Sequence, residues 1–345
     1  MSFVGILTFI AGYSNCSQVE FSGTPNNGLN NVDGAGSPPP VCNPFGGSGA
    51  GLVANGINYI SLTPSTTSSG NSYEVTYTLN QGNATLAQSQ YNGSTGLLSD
   101  SPMDIIQNSV EEFFDSTNPY ISTANNQVFL SDLNFPDIYF TNGFAPEGGT
   151  PLQANGQTLI QFFSMRFQSI FAPIWKPGTY QIATLTDDGS ILTLQGAGAS
   201  GNNLVINNDG GHSMVMGCTE TTLTIPASGQ VSYPLTFDYF QGPPVTIGLI
   251  MLYRPVPPDG GLDPLCARID GTNSKTVYPT EDKDNYFFQD SATNPTVAEA
   301  PYNQLVGPLS PTSCAVPPCA DTGRWAPVEP ANYNLPPNVQ NPCAD

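Results

Sequence analysis

Between about residues 118 and 257 the chain is a succession of apolar, β-branched and aromatic runs cut by turn residues. They are "TLIQFFSMRFQSIFAPI", "GTYQIATLT", "SILTLQG", "LVINN", "ETTLTIPAS", "QVSYPLTFDYF" and "VTIGLIMLYRP". Runs of this kind, bounded by Gly, Pro, Asn and Ser, read as β-strands. Composition leaves little alternative. Charged residues make up 10% of the 345, against about 25% in an average domain. Long helices laced with i,i+4 ion pairs cannot be built from so few charges. The 35 Gly and 33 Pro suit many short strands joined by turns. The fold class predicted is all-β.

The segments outside that core read differently. "FVGILTFIAG" (Phe3 to Gly12) is apolar but too short to span a bilayer, and it ends just before Cys16. It reads as the core of a leader over residues 1–16. A bacterial lipoprotein leader with Cys16 acylated, an ordinary secretory peptide and a buried apolar strand all fit this run. No Lys or Arg precedes it, and "YSNC" departs from the usual lipoprotein pattern. Residues 17–56 are rich in Gly, Pro, Asn and Ser and read as a spacer. Residues 57–117 read as a small β-rich segment with one helix over Ser101–Asp115, capped by Ser101. Residues 258–345 hold four of the seven cysteines and many prolines, a tail expected to wrap the core and be pinned by disulfides.

The seven cysteines contain no C-x-x-C pair, and His212 is the single histidine, which argues against a Cys/His zinc site. Disulfides in an oxidising compartment are expected instead, with Cys16 unpaired and the other six paired. The formal net charge is −20, with 7 Lys+Arg and the first of them at Arg166. Such a field repels nucleic acid and anionic membranes and attracts divalent cations. Solubility alone would also explain it. A membrane is therefore expected to matter only through a lipid anchor at Cys16.

Amid so few charges, "TLTDDGSIL" (Thr184 to Leu192) places Asp187 and Asp188 side by side between two strands. With "KPGTY" before it, and "LVINNDGGH" and "YPLTFDYFQGPPVTIGLIML" after it, the order resembles the PA14 domain over roughly residues 118–257. "NFPDIYFTNGF" (Asn134 to Phe144) resembles the leading segment of bacterial members. The resemblance implies an antiparallel β-sandwich, here carrying disulfide-pinned N- and C-terminal extensions. It also implies Ca²⁺ held between Asp187 and Asp188 across a cis peptide. Adjacent residues of an extended chain otherwise point to opposite faces, whereas one Ca²⁺ needs six to eight oxygens gathered around it. A later loop supplies the family's other ligands. Alignment puts Gln241 where the family has Asn, and the two backbone carbonyls at Pro243 and Val245. Sugar hydroxyls would complete the shell, with Asn208 and Gly242 beside the ligand. A plain turn, with one Asp bonded to its own backbone, is the simpler reading of "DDG".

No catalytic constellation stands out. His212 lies in a Gly-rich turn expected to be exposed and inert, there is no G-x-S-x-G, and no acidic pair is singled out as acid and base. The chain is read as a non-enzyme: a calcium-dependent, adhesin-like carbohydrate-binding protein. Its place is extracellular or at the cell surface, including the outer-membrane lipoprotein class. Its partner is a glycan or glycoprotein on another cell. The alternative is a structural or assembly component of the cell envelope that uses the sandwich for protein contacts without binding sugar.

Overall fold

The computed structural model describes residues 40–43, 50–60, 109–118, 121–139, 143–144, 151–159, 161–212, 215–219, 221–242, 246–257, 261 and 325–343. For 62–69, 72–79, 85–92, 98–99, 136–139, 157, 215 and 246 it describes the backbone alone. The chain divides into two compact units, one taking in Ile60–Ile106, the other Pro38–Tyr59 and Gln107–Asp345.

The larger unit opens with β1 (Val41–Cys42) and β2 (Leu52–Ile60). The smaller unit then forms a four-stranded antiparallel sheet, with β3 (Leu62–Ser69), β4 (Ser72–Leu79), β5 (Thr85–Asn92) and β6 (Leu98–Ser99) in sequential order. The register of β3 and β4 runs to Ser69↔Ser72.

The chain returns to the larger unit through a short helix, α1 (Val110–Phe114). Ser109 caps it, its hydroxyl accepting from the Glu112 N–H. The cap expected at Ser101 lies outside the described residues; the described cap, Ser109, stands eight residues later. It buries Val110 and Phe113, and the Phe113 ring stacks on Phe240 at 5.4 Å.

Then follow β7 (Ile121–Leu130), β8 (Asn134–Tyr139), β9 (Gln153–Ala154), β10 (Gln157–Thr158), β11 (Phe163–Phe171), β12 (Gly178–Asp187) and β13 (Ser190–Leu194). After them come β14 (Leu204–Asn208), β15 (Val215–Cys218), β16 (Leu223–Ile225), β17 (Tyr233–Gln241), β18 (Thr246–Pro255), β19 (Ala326–Pro327) and β20 (Tyr333–Asn334). One sheet runs β1-β7-β2-β11-β17-β13-β14, with β20 on β11. The other runs β15-β12-β18-β19, with β16 on β12 and β8 on β18. The two form a sandwich, the architecture expected. The long central pairings, β11 with β17 and β12 with β18, are antiparallel, while β1 runs parallel to β7.

Strand periodicity decides what faces the core. Along β11, Phe163, Met165, Phe167 and Phe171 are buried while Arg166 and Gln168 are exposed, the alternation of a sheet covered on one face. In β12 every residue from Tyr180 to Asp187 is buried. Its partner β18 carries the unbroken "IGLIML", also buried, as strands covered on both faces require. Phe167, Phe237, Ile182, Leu249 and Met251 belong to one apolar cluster drawn from both sheets.

The stretch read as a spacer enters this core at its end. Leu52, Val53 and Ala54 are fully buried in β2, because their run of small apolar residues pairs with β11. The C-terminal tail also belongs to the sandwich. β19 adds to β18 and β20 to β11, Trp325 and Tyr333 are buried, and Cys343 is bonded to Cys42. Cys218 is likewise in a disulfide. Cys16 lies outside the described residues. Among the described residues no helix is long and apolar enough to cross a membrane.

Two predictions follow from this frame. The Cys42–Cys343 bond joins residues 301 apart in sequence, so reducing it frees a very long loop in the unfolded chain. Cys343→Ser should lower stability by about 2–4 kcal/mol, read from the denaturant midpoint; an unmoved midpoint would show that the tail stays docked without it. The second concerns Asp132, between β7 and β8, whose carboxyl burial pushes up from 3.8 to about 6. The folded state then holds more protons than the unfolded between those values, so this residue's stabilising balance is lost as pH rises through about 6. Asp132→Asn should raise stability at pH 7.5, by on the order of 1–2 kcal/mol, and leave it unchanged near pH 3.5. Equal effects at both pH values would contradict a buried charge there.

Candidate functional site

β12 belongs to one sheet and β13 to the other, so the two-residue link Asp188–Gly189 crosses the seam at one end of the sandwich. The Asp187–Asp188 peptide is cis. Both side chains are nearly buried, at 3% and 5% exposure. Gly189 is needed for the crossing. A Cβ there would strike the Phe240 ring and meet the Gly210 backbone N and O at 2.8 and 2.9 Å.

The carboxylate of Asp188 gathers two other segments around itself. Its Oδ1 accepts from the His212 N–H at 2.9 Å. Its Oδ2 accepts from the Gly242 N–H at 2.7 Å and from Gln241 Nε2 at 3.3 Å. Burial pushes the Asp188 carboxyl above the ordinary value, against the Gly242 N–H, the charge of His212 and the His212 N–H, which all favour the anion. His212 is therefore part of the wall, half-buried, with its ring Nε2 3.0 Å from the Asn208 carbonyl. The exposed position expected from its Gly-rich surroundings is not what forms.

Beneath the pair lies a buried polar ladder between the sheets. Asn208 Nδ2 donates to Thr186 Oγ1 at 3.0 Å, the Thr186 and Ser190 hydroxyls meet at 3.1 Å, and Ser190 donates to Thr184 at 3.5 Å. Asn208, 1% exposed, thus supports the site from inside. Gly217 makes room for it, since a Cβ there would lie 2.6 Å from the Asn208 Cβ. Tyr239, also fully buried, places its hydroxyl 2.6 Å from the Asp187 carbonyl and 2.7 Å from Gln241 Oε1. Asp209 ties the same loop to α1, accepting from the Val110 N–H at 2.7 Å and its neighbour Gly210 N–H at 2.9 Å.

The structure thus brings Asp187, Asp188, Gln241 and Gly242 together, with Asn208 one layer below. Pro243 and Val245 lie outside the described residues. Sequence reasoning missed Tyr239, Thr186 and Ser190. A signal for Tyr239 existed: in "FDYFQG" it lies two residues before Gln241, on the same face of one strand.

Among the described residues no three His, Cys, Asp or Glu side chains converge on a metal position. A cation here would take two carboxylates from the protein and the rest of its shell from amide and carbonyl oxygens, water or a ligand's hydroxyls. That all-oxygen set suits a hard cation such as Ca²⁺ rather than zinc. A separate hollow of about 570 Å³, lined by residues including Gly198, Ser200, Thr222, Thr224 and Tyr233, sits at the start of β17, the opposite end of that strand from Gln241, and its lining has no carboxylate.

No family model matches the chain, and no curated protein does. Three solved structures are similar in part. An anti-sigma factor domain-containing protein overlaps at TM-score 0.26 and 18% identity, over 35% of this chain and 35% of that one. The PA14 domain of the MpAFP antifreeze protein overlaps at 0.24 and 15%, over 66% and 89%. A PA14 sugar-binding domain from an RTX adhesin overlaps at 0.21 and 11%, over 62% and 93%. Overlaps this slight carry no weight for the fold or the function of this chain.

The glycine at the crossing gives a direct test of how the loop is held. Gly189→Ala must displace the Phe240 ring and the Gly210 backbone, and should cost about 1–3 kcal/mol, read by chemical denaturation. A loss below about 0.5 kcal/mol would mean that the three segments do not close on one another as described.

Proposed function

We propose that the chain is a calcium-dependent carbohydrate-binding module of adhesin type, displayed at a cell surface. The observation that carries this reading is the nearly buried Asp187–Asp188 pair, with Asp188 held by three N–H donors while burial works against its charge. A buried carboxylate is costly without a compensating positive charge.

A divalent cation would offset the two buried charges. The Asp187 and Asp188 carboxylates would hold it, with carbonyls of the following loop as the further protein ligands that the motif resemblance implies. Calcium accepts six to eight oxygens, so two carboxylates and a few carbonyls leave positions that two neighbouring hydroxyls of a sugar can fill. The protein's own contribution is placement. The N–H groups of His212 and Gly242 fix the Asp188 oxygens, and the hydroxyl ladder keeps the seam rigid beneath them. Disulfides at Cys42, Cys343 and Cys218 suit an oxidising, extracellular setting.

Calcium at 100 times its Kd should stabilise the fold by about 2.7 kcal/mol, measured by thermal unfolding with and without chelator. Asp188→Asn should abolish the increment. Glycans immobilised on an array should retain the protein in calcium and release it in chelator. A melting temperature blind to calcium, together with no calcium-dependent retention, would leave the acidic pair as a structural turn.

A further inference from the structure

Tyr239 carries one hydroxyl proton and faces two acceptors, the Asp187 carbonyl at 2.6 Å and Gln241 Oε1 at 2.7 Å. One proton cannot serve both fully at once. On its other side the Gln241 amide turns Nε2 to Asp188 Oδ2 at 3.3 Å. That orientation suits a cation-free site, because the reverse would set two acceptor oxygens against each other. A cation changes the balance. Calcium's ligand oxygens lie at about 2.3–2.6 Å from the ion, so two that bind at right angles stand about 3.3–3.7 Å apart. The Gln241 amide already stands at that separation from Asp188 Oδ2.

We propose that the Gln241 amide reverses when the cation binds, turning Oε1 to the ion beside Asp188, and that Tyr239 is the positioning residue that permits it. This rests on the calcium reading above. In the reversed state Nε2 donates to the Tyr239 oxygen, and the Tyr239 proton goes wholly to the Asp187 carbonyl. Each of these two hydrogen bonds then has its own proton, and Oε1 is free for the ion. Only a group that both donates and accepts can serve both amide orientations, and a hydroxyl does so. Gln241 and Tyr239 are both fully buried, so they face each other directly in the intact protein.

The test uses Tb³⁺ as a luminescent probe in place of Ca²⁺. Lifetimes in H₂O and D₂O, excited directly at the ion, count the waters bound to it. Calcium Kd is measured by calorimetry on the same proteins. Gln241→Ala should add one bound water and raise the Kd at least tenfold. Tyr239→Phe should also raise the Kd about tenfold, yet cost little more in the Gln241→Ala background, because it acts through Gln241. An unchanged water count in Gln241→Ala would make the amide a strut and overturn the proposal. So would an unchanged Kd in Tyr239→Phe, or fully additive effects in the double variant. Should Tyr239→Phe not fold, the water count in Gln241→Ala decides alone. Wild-type protein that binds neither Tb³⁺ nor Ca²⁺ would remove the calcium reading itself, an outcome distinct from these three.

Discussion

The carboxylate of Asp188 is where three stretches of chain meet. It leaves the end of β12, accepts an N–H from the loop after β14, and accepts two more from the end of β17. Each contact crosses from one sheet to the other or joins a loop to a strand end. A buried anion costs free energy unless donors surround it. The segments that supply those donors are therefore fixed in place, and the geometry of this end of the sandwich is the geometry of that anion's shell. The glycines follow from it. Gly189 and Gly217 each stand where a Cβ would collide with backbone or with Asn208, and a Cβ at Gly242 would come within 3.1 Å of Asp188 Oδ2.

The opposite end of the sandwich is held by different means. There Trp175 stacks on Tyr253 at 3.9 Å and packs against Tyr180 and Phe171, and the C-terminal tail closes the sheets with two short strands and a disulfide. Apolar burial and covalent closure can tolerate small shifts, because neither depends on one hydrogen-bond length. A polar seam cannot. The division leaves the aromatic end to supply stability and the acidic end to carry the candidate site.

The all-β class was legible because apolar runs with strand periodicity and a shortage of charge both pointed the same way. The sandwich and the docking of the tail followed from the motif order and the late cysteines. The acidic pair was legible as an anomaly, two carboxylates spent in a chain with few charges. What could not be read was which neighbours would surround them. His212 enters through its backbone N–H, and a backbone donor leaves no trace in residue identity; Gly242, expected beside the site, also acts through its N–H. Asn208 was expected beside a ligand for its oxygen; its side chain is buried and its Nδ2 donates to Thr186. The helix cap expected at Ser101 lies outside the described residues; the described helix is capped by Ser109, which accepts from the Glu112 N–H, while Asp209 accepts from the Val110 N–H of the first turn.

A cation between Asp187 and Asp188 is the claim on which the functional account stands. The most direct measurement is a crystal structure of the protein grown in calcium, with anomalous data collected to identify the ion. The account predicts an anomalous peak about 2.3–2.6 Å from carboxylate oxygens of both aspartates, with a water or added sugar hydroxyls completing its shell. A well-ordered loop in saturating calcium with no such peak, and Asp188 still bonded only to His212, Gln241 and Gly242, would contradict it.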